Sequence, residues 1–180
     1  LNFAENLLRF DDDGEGIVAW NERGLYASLT YAQLQDAVAA VATALRAHGI
    51  QPGDRVAAFM PNIPETVVAM LATASLGAIW SSCSPDFGAK GVLDRFGQIQ
   101  PRVLFTADGY RYAGKEIDSL VRVREIVDQL PSIECVVVVP YLRSEPNPAG
   151  VRGAVLWSEW RRSEGARNGQ PPPPESGGHE

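Results

Sequence analysis

The chain has 180 residues, of which 45% are apolar, and its formal net charge is −6. This length and composition are typical of one globular domain with a sizeable core. The net negative charge argues against broad nucleic-acid binding, and two cysteines are too few for a disulfide framework. Two thiols in a chain of this size favour a reducing compartment, so we expect a cytoplasmic protein.

The uncharged stretch from Thr66 to Pro85 is close in length to a membrane span. Its apolar part, residues 67–80, is short and is diluted by two hydroxyl residues and a glycine. An apolar stretch of about 10–14 residues is more typical of a buried helix. We therefore expect no membrane span.

The first 50 residues predict a β-hairpin followed by a helix. Strands at 17–20 and 25–31 flank a turn-rich connection, as in a hairpin. Thr30 and Gln33 have the spacing of a capping box, and an apolar stripe at helical spacing follows them.

From residue 55 onwards, predicted strands and helices alternate. Strands are predicted at 55–60, 78–82, 102–106 and 135–139, and helices at 63–77, 89–99 and 116–130. Asn62 is expected to cap the first of these helices. The alternation implies parallel strands joined by right-handed crossovers. The predicted fold class is therefore α/β: an open, doubly wound, mostly parallel sheet with an early β-hairpin. Such sheets bind ligands near the carboxyl ends of their strands.

The stretch 109–116 matches the phosphate-binding pattern G-x-x-x-x-G-K and follows a predicted strand. Its last position holds Glu116, where the pattern needs Ser or Thr to bind magnesium, and its interior is bulky. Arg111 and Lys115 can still hold a phosphate by their side chains alone. The residues leave three interpretations open: a solvated surface turn, a phosphate site made by these two cations, or the nucleotide loop of a small hydrolase. Without further context the solvated turn is favoured.

A second candidate ligand loop, SSCSPDFGAKG at 81–91, follows another predicted strand. Cys83 within it has no base nearby in sequence, so we interpret it as a packed thiol. The sequence predicts no metal site, because its histidines and acidic residues lack the spacing of metal ligands. It also contains no nucleophile elbow and no assignable acid/base pair, so no catalytic residue is predicted.

Four stretches resemble the amino-terminal part of the adenylate-forming acyl-CoA ligases: LNFAENLL, SLTYAQL, DRVAAFMPNIPETVVAMLATASLGAIWSSCSPDFG and QPRVLFTADGYRYAGK. The resemblance implies that residues 1–160 are the amino-terminal part of the AMP-binding (adenylate-forming) domain. In this family a carboxylate attacks the α-phosphate of ATP to give an acyl-adenylate, and the thiol of coenzyme A (CoA) then displaces AMP. The resemblance implies ATP, CoA and Mg2+ for the full enzyme, and acetoacetate as the carboxylate.

The resemblance also implies a binding role for five residues. Arg111, Tyr112 and Lys115 match a loop whose basic residues contact the phosphates of CoA, with one residue inserted. Ser84 and Asp86 match the loop beside the channel for the pantetheine arm of CoA, and Asp86 stands where the family has glycine. In this context the phosphate site, and no longer the solvated turn, is the favoured interpretation of 109–116.

The stretch 161–180 contains a single apolar residue, Ala166, and a run of four prolines, so we predict a disordered tail. The family's phosphate loop, expected soon after residues 157–160, does not follow them here. We therefore expect an amino-terminal fragment or truncated product of an acetoacetate–CoA ligase. Alone it should be inactive and bind CoA weakly at most, with the catalytic residues beyond its end. The alternative is a catalytically dead binding or regulatory module derived from such a ligase.

Overall fold

The chain folds into layered α/β structure, seen in a computed structural model that describes residues 2–167. The helices are α1 (Phe3–Leu7), α2 (Tyr31–Ala47), α3 (Pro64–Ser75), α4 (Ala89–Ile99), α5 (Leu120–Gln129) and α6 (Trp157–Arg167). The strands are β1 (Glu15–Asn21), β2 (Gly24–Thr30), β3 (Arg55–Phe59), β4 (Ile79–Cys83), β5 (Val103–Ala107), β6 (Gly109–Tyr112), β7 (Lys115–Asp118), β8 (Cys135–Val139) and β9 (Ala154–Leu156).

Five parallel strands form the central sheet in the order β4-β3-β5-β8-β9. The antiparallel hairpins β1-β2 and β6-β7 form two separate two-stranded sheets. The chain passes from β3 outward to β4 and then returns across β3 to β5, so the strand order reverses between β3 and β5. The carboxyl ends of these two strands therefore flank a topological switch point. The predicted open, mostly parallel sheet with an early hairpin is confirmed.

Helices cover both faces of this sheet. Along β3, Val56 and Ala58 pack into the core that α2, α3 and α6 share. Ala57 and Phe59 pack into the opposite core with α4 and α5. Every residue of β5 and β8 is buried, as expected for apolar strands covered on both faces.

The uncharged stretch 66–85 contains most of α3 and the edge strand β4. The buried residues of α3, among them Val68, Leu71 and Ala72, contribute to the core. No helix within the described part of the chain is both long and apolar enough to cross a membrane.

Two predicted helix caps have different outcomes. The capping box is confirmed: the backbone N–H of Gln33 donates to the hydroxyl of Thr30 (3.2 Å), and the Thr30 N–H donates to the Gln33 side chain (2.9 Å). The prediction that Asn62 caps the next helix is wrong, since Ile63 holds the cap position without a side-chain hydrogen bond. Pro64 starts this helix, so the cap lies one residue later than predicted.

An ionic cluster lies directly before three neighbouring strands, where Asp54 precedes β3, Arg102 precedes β5 and Glu134 precedes β8. Arg102 donates to Asp54 (2.8 Å), to both oxygens of Glu134 (2.9 Å each) and to the carbonyl of Gly49 (2.9 Å). The backbone N–H of Gln51 and the Arg102 side chain lower the pKa of Asp54, and Arg102 lowers that of Glu134. This cluster ties the amino ends of the strands together.

Helix α6 continues into the stretch for which the sequence predicted disorder. Residues 161–167 are helical, which corrects that prediction for the first part of the tail. The rings of Trp157 and Trp160 lie edge-to-face against Phe105, with centroids 5.9 and 5.5 Å away. The two tryptophan rings fix the start of the helix, and the polar residues 161–167 extend it. Residues 168–180 of the predicted tail lie outside the described residues.

Candidate functional site

A cleft of about 200 Å3 opens at the carboxyl edge of the sheet, where the strand order reverses. The loops after β3, β4 and β8 and the strand β6 contribute its walls. The lining residues are Pro61, Asn62, Ser84, Pro85, Asp86, Tyr110, Arg111, Tyr112 and Tyr141. This is the position at which open α/β sheets bind their ligands.

Four of the five predicted binding residues line this one cleft: Ser84, Asp86, Arg111 and Tyr112. The fifth, Lys115, does not line it. It pairs with Tyr112 across the β6-β7 hairpin and is exposed beside the cleft. The fold therefore brings together two loops that are far apart in sequence.

The loop that contains Ser84 is held by its own turn and by α5. The N–H of Phe87 donates to the carbonyl of Ser84 (3.1 Å). Arg122 of α5 donates to the carbonyls of Pro85 (2.7 Å) and Phe87 (3.3 Å). The hydroxyl of Ser84 donates to the carboxylate of Asp86 and lowers its pKa, so this carboxylate is ionised at neutral pH.

The stretch 109–116 forms most of a β-hairpin and no phosphate-cradling loop. Ala113 and Gly114 make its two-residue turn with φ of +51° and +74°, as in a type I′ turn. A nucleotide loop of the G-x-x-x-x-G-K type would lead directly into a helix, whereas the next helix begins only at Leu120. The interpretation as a nucleotide loop is therefore excluded. The predicted helix at 116–130 is also corrected, because β7 occupies its first residues.

Close packing explains the glycine that begins this pattern. A Cβ on Gly109 would lie 2.5 Å from the carbonyl oxygen of Ile117 and would meet the side chain of Leu142. Only glycine fits between these groups. Close packing of β6 against Ile117 and Leu142, and not phosphate binding, therefore explains the glycine at this position.

Arg111 presents a cation to the cleft. Its guanidinium donates to Glu116 (2.8 Å), which lies directly opposite in the hairpin, and sits 5.7 Å from the ring centroid of Tyr141. The Arg111 side chain is only 13% exposed, and its buried Nε has no hydrogen-bond partner within the described residues. A partly desolvated guanidinium in the wall of a cleft fits an anionic ligand group.

Asp108, which sequence reasoning missed, organises the back of the cleft. Its carboxylate is fully buried and accepts the backbone N–H groups of Tyr141 (2.7 Å), Leu142 (2.9 Å) and Arg143 (3.0 Å). It thereby positions the loop that carries the Tyr141 ring against Arg111. The signal in the sequence is an acidic residue directly after a buried strand.

Glu22, also missed, links the two hairpins. Its carboxylate accepts the N–H groups of Ala113 (2.8 Å) and Gly114 (2.9 Å) in the β6-β7 turn. Neighbouring Arg23 lies 3.6 Å from Glu116 of the same hairpin. About 90 residues separate these partners, so no local pattern could have indicated the contact.

Cys83 is buried at the end of β4, and burial raises the pKa of its thiol, which agrees with a packed side chain. Among residues 2–167 there is no group of three or more His, Cys, Asp or Glu side chains arranged to hold a metal ion. We assign the described residues no magnesium-dependent step.

Fold and cleft together define the structural class of the protein: an open α/β sheet with a cleft at its switch point, walled on one side by the cation of Arg111. Comparison with known proteins identifies the family. Residues 12–176 match the model of the AMP-binding enzyme family, and the chain belongs to this family.

Similar proteins include acetoacetyl-CoA synthetases. The chain is 53% identical over 141 residues to the acetoacetyl-coenzyme A synthetase of Rhizobium meliloti (strain 1021), which covers 78% of this chain and 21% of the relative. It is 46% identical over 144 residues to the acetoacetyl-CoA synthetase of Rattus norvegicus, with 79% and 21% covered. The solved acetoacetyl-CoA synthetase from Streptomyces lividans superposes with a TM-score of 0.82 at 45% identity, over 89% of this chain and 25% of that one. The chain thus spans about a fifth of the length of these curated relatives.

Proposed function

We propose that this chain supplies one wall of the CoA site of an acetoacetate–CoA ligase, which converts ATP, acetoacetate and CoA into acetoacetyl-CoA, AMP and diphosphate. One observation carries the proposal: the Ser84–Asp86 loop and Arg111 converge on a single cleft at the switch point. The similarity to acetoacetyl-CoA synthetases supports the choice of reaction and acyl group.

Arg111 binds the 3′-phosphate of CoA in this proposal. Its guanidinium is planar and lines the cleft, so its terminal N–H groups can donate to phosphate oxygens. Lys115 adds positive charge beside the cleft. Tyr112, which is 64% exposed at the rim, offers a ring face to a planar base.

Asp86 faces a different part of CoA. An ionised carboxylate repels a phosphate, but it accepts hydrogen bonds from amide N–H groups. The neutral pantetheine arm carries such amides, so the Ser84–Asp86 pair lines the channel for that arm. The cleft thus separates a wall for the anionic end of CoA from a wall for its neutral arm.

The described residues bind and orient CoA and include no assigned catalytic group. ATP activates the carboxylate as an acyl-adenylate in the proposed reaction, and the CoA thiol then displaces AMP. We assign both chemical steps to the remainder of a longer ligase.

Isothermal calorimetry with CoA and 3′-dephospho-CoA tests the proposal. We expect the chain to bind CoA more tightly than 3′-dephospho-CoA, and we expect Arg111→Gln to bind the two ligands equally. Arg46→Gln, which removes an exposed charge from the end of α2, is the matched control and should retain it. Equal binding of both ligands by the unaltered chain, or no binding of either, would overturn the phosphate role.

A binding or regulatory module is the second candidate, favoured by an exposed apolar pair. Trp20 and Leu25 are cross-strand partners in the β1-β2 hairpin and are 69% and 60% exposed. Exposed apolar surface of this kind often marks a protein contact. If the pair joins two copies of the chain, light scattering after size exclusion will show a dimer that Trp20→Ser removes. A monomer at all concentrations argues against this candidate.

We also propose a cytoplasmic location. Cys83 and Cys135 are both unpaired and buried, and burial raises the pKa of the Cys135 thiol to about 11. Unpaired thiols are typical of proteins in a reducing compartment. Cell fractionation followed by immunodetection would test the location.

A further inference from the structure

The β6-β7 hairpin depends on contacts outside itself. It is a separate two-stranded sheet without a ladder to the central sheet, and an isolated hairpin of this size is marginally stable in water. Arg111 lies two residues before its turn, so movement of the tip also moves the cation in the cleft.

The turn of this hairpin has two backbone donors pointing outward. Tyr112 and Lys115 form the closing pair of the ladder, so the N–H groups of Ala113 and Gly114 lie outside it. Successive N–H groups in a turn of this kind form a small anion-binding concavity. The carboxylate of Glu22 fills it with one oxygen on each N–H group, at 2.8 and 2.9 Å.

We propose that Glu22 is a positioning residue for CoA: by holding the tip of the β6-β7 hairpin, it keeps Arg111 oriented toward the 3′-phosphate. This inference rests on the proposed CoA site. Glu22 lies in the turn of the β1-β2 hairpin, next to Arg23, whose guanidinium lies 3.6 Å from Glu116. The two hairpin tips are therefore joined by one bidentate contact and one ion pair.

Electrostatics alone predicts the opposite effect. Glu22 is an anion close to the proposed phosphate site, so removal of its charge should tighten the binding of an anionic ligand. A positioning role predicts weaker binding, because Arg111 loses its orientation. The sign of the change therefore separates the two explanations.

The experiment compares Glu22→Ala with Glu15→Ala in the full chain. Both variants remove one exposed carboxylate from the β1-β2 hairpin, but Glu15 is at the end away from the turn. Calorimetry with CoA and 3′-dephospho-CoA gives the preference of each variant. We expect Glu22→Ala to reduce the preference for CoA about fivefold, equivalent to about 1 kcal/mol, and Glu15→Ala to retain it. Glu22→Gln, which keeps one acceptor, should lie between them.

A second readout confirms that the effect acts through the hairpin tip. Amide exchange measured by NMR should accelerate at Ala113 and Gly114 in Glu22→Ala while the buried strands stay protected. An unchanged or increased CoA preference in Glu22→Ala, or unchanged exchange at both amides, would overturn the positioning role and leave the CoA site standing. No preference in the unaltered chain would overturn the CoA site itself, and the role of Glu22 with it.

Discussion

Replacing Asp108 by asparagine changes one buried atom behind the cleft. The carboxylate accepts three backbone N–H groups, two on Oδ1 and that of Arg143 on Oδ2. In Asp108→Asn the amide oxygen can keep the two bonds of Oδ1, but the new NH2 group faces the N–H of Arg143, donor against donor. A hydrogen bond to a charged group contributes about 1.5–3 kcal/mol, and a neutral one about 0.5–1.5 kcal/mol. One lost bond, together with two bonds that are each weakened by about 1–1.5 kcal/mol, therefore lowers the free energy of unfolding by about 3.5–6 kcal/mol.

Urea unfolding followed by circular dichroism measures this loss as a lower transition midpoint. Asp94→Asn on the exposed side of α4 is the control and should change stability by less than about 0.5 kcal/mol. The preference for CoA over its 3′-dephospho form should also fall, because the loop that Asp108 holds places Tyr141 against Arg111. If Asp108→Asn is as stable as the control, the three bonds do not hold the loop as argued.

Four further results are expected. Gly109→Ala should lower the free energy of unfolding by about 1–3 kcal/mol through overpacking. Gly97→Ala inside α4, where the nearest atom to a Cβ is 3.9 Å away, should be neutral or slightly stabilising, and equal urea midpoints for the two variants would contradict this. The pKa of Asp54 is lowered in the folded state, so the stability that Asp54 contributes is present above its ordinary pKa of 3.8 and is lost as the pH falls below that value. Arg102→Met should make stability, measured by urea titration, depend less on pH in this range. Parallel curves of stability against pH for the variant and the unaltered chain would refute this. Glu116→Gln removes the carboxylate that pairs with Arg111 and should tighten CoA binding severalfold in calorimetry. Weaker binding would count against competition between Glu116 and the phosphate of CoA for Arg111. The purified chain should show no acetoacetate-dependent exchange of pyrophosphate into ATP, and measurable exchange would refute this expectation.

The alternating strands and helices of the central sheet were predictable because their signals are local. The apolar run at 135–139 and the capping box at Thr30 each predict an element without reference to the rest of the chain. The β6-β7 hairpin was missed because its bulky turn region also matches a glycine-lysine loop pattern. The short strand β9 gave no signal, since only pairing with β8 defines it.

The candidate site was predictable in part for the same reason. The loops that contain Ser84 and Arg111 could be found because each follows a predicted strand and carries residues that resemble a known family. Their convergence required the strand order, which sequence periodicity does not specify. Glu22 and Asp108 accept hydrogen bonds mainly from backbone N–H groups, which every residue except proline carries, so the sequence does not indicate their partners.

The ion cluster of Asp54, Arg102 and Glu134 fixes the amino edge of the sheet, whereas the loops at the carboxyl edge can accept substitutions. It cross-links β3, β5 and β8 where these strands begin, and the spacing of the strands therefore does not depend on the loops at the opposite edge. Substitutions in those loops can then alter the lining of the cleft without a change in strand register. A sheet anchored in this way lets the residues that line the cleft change while the positions of the strands stay fixed.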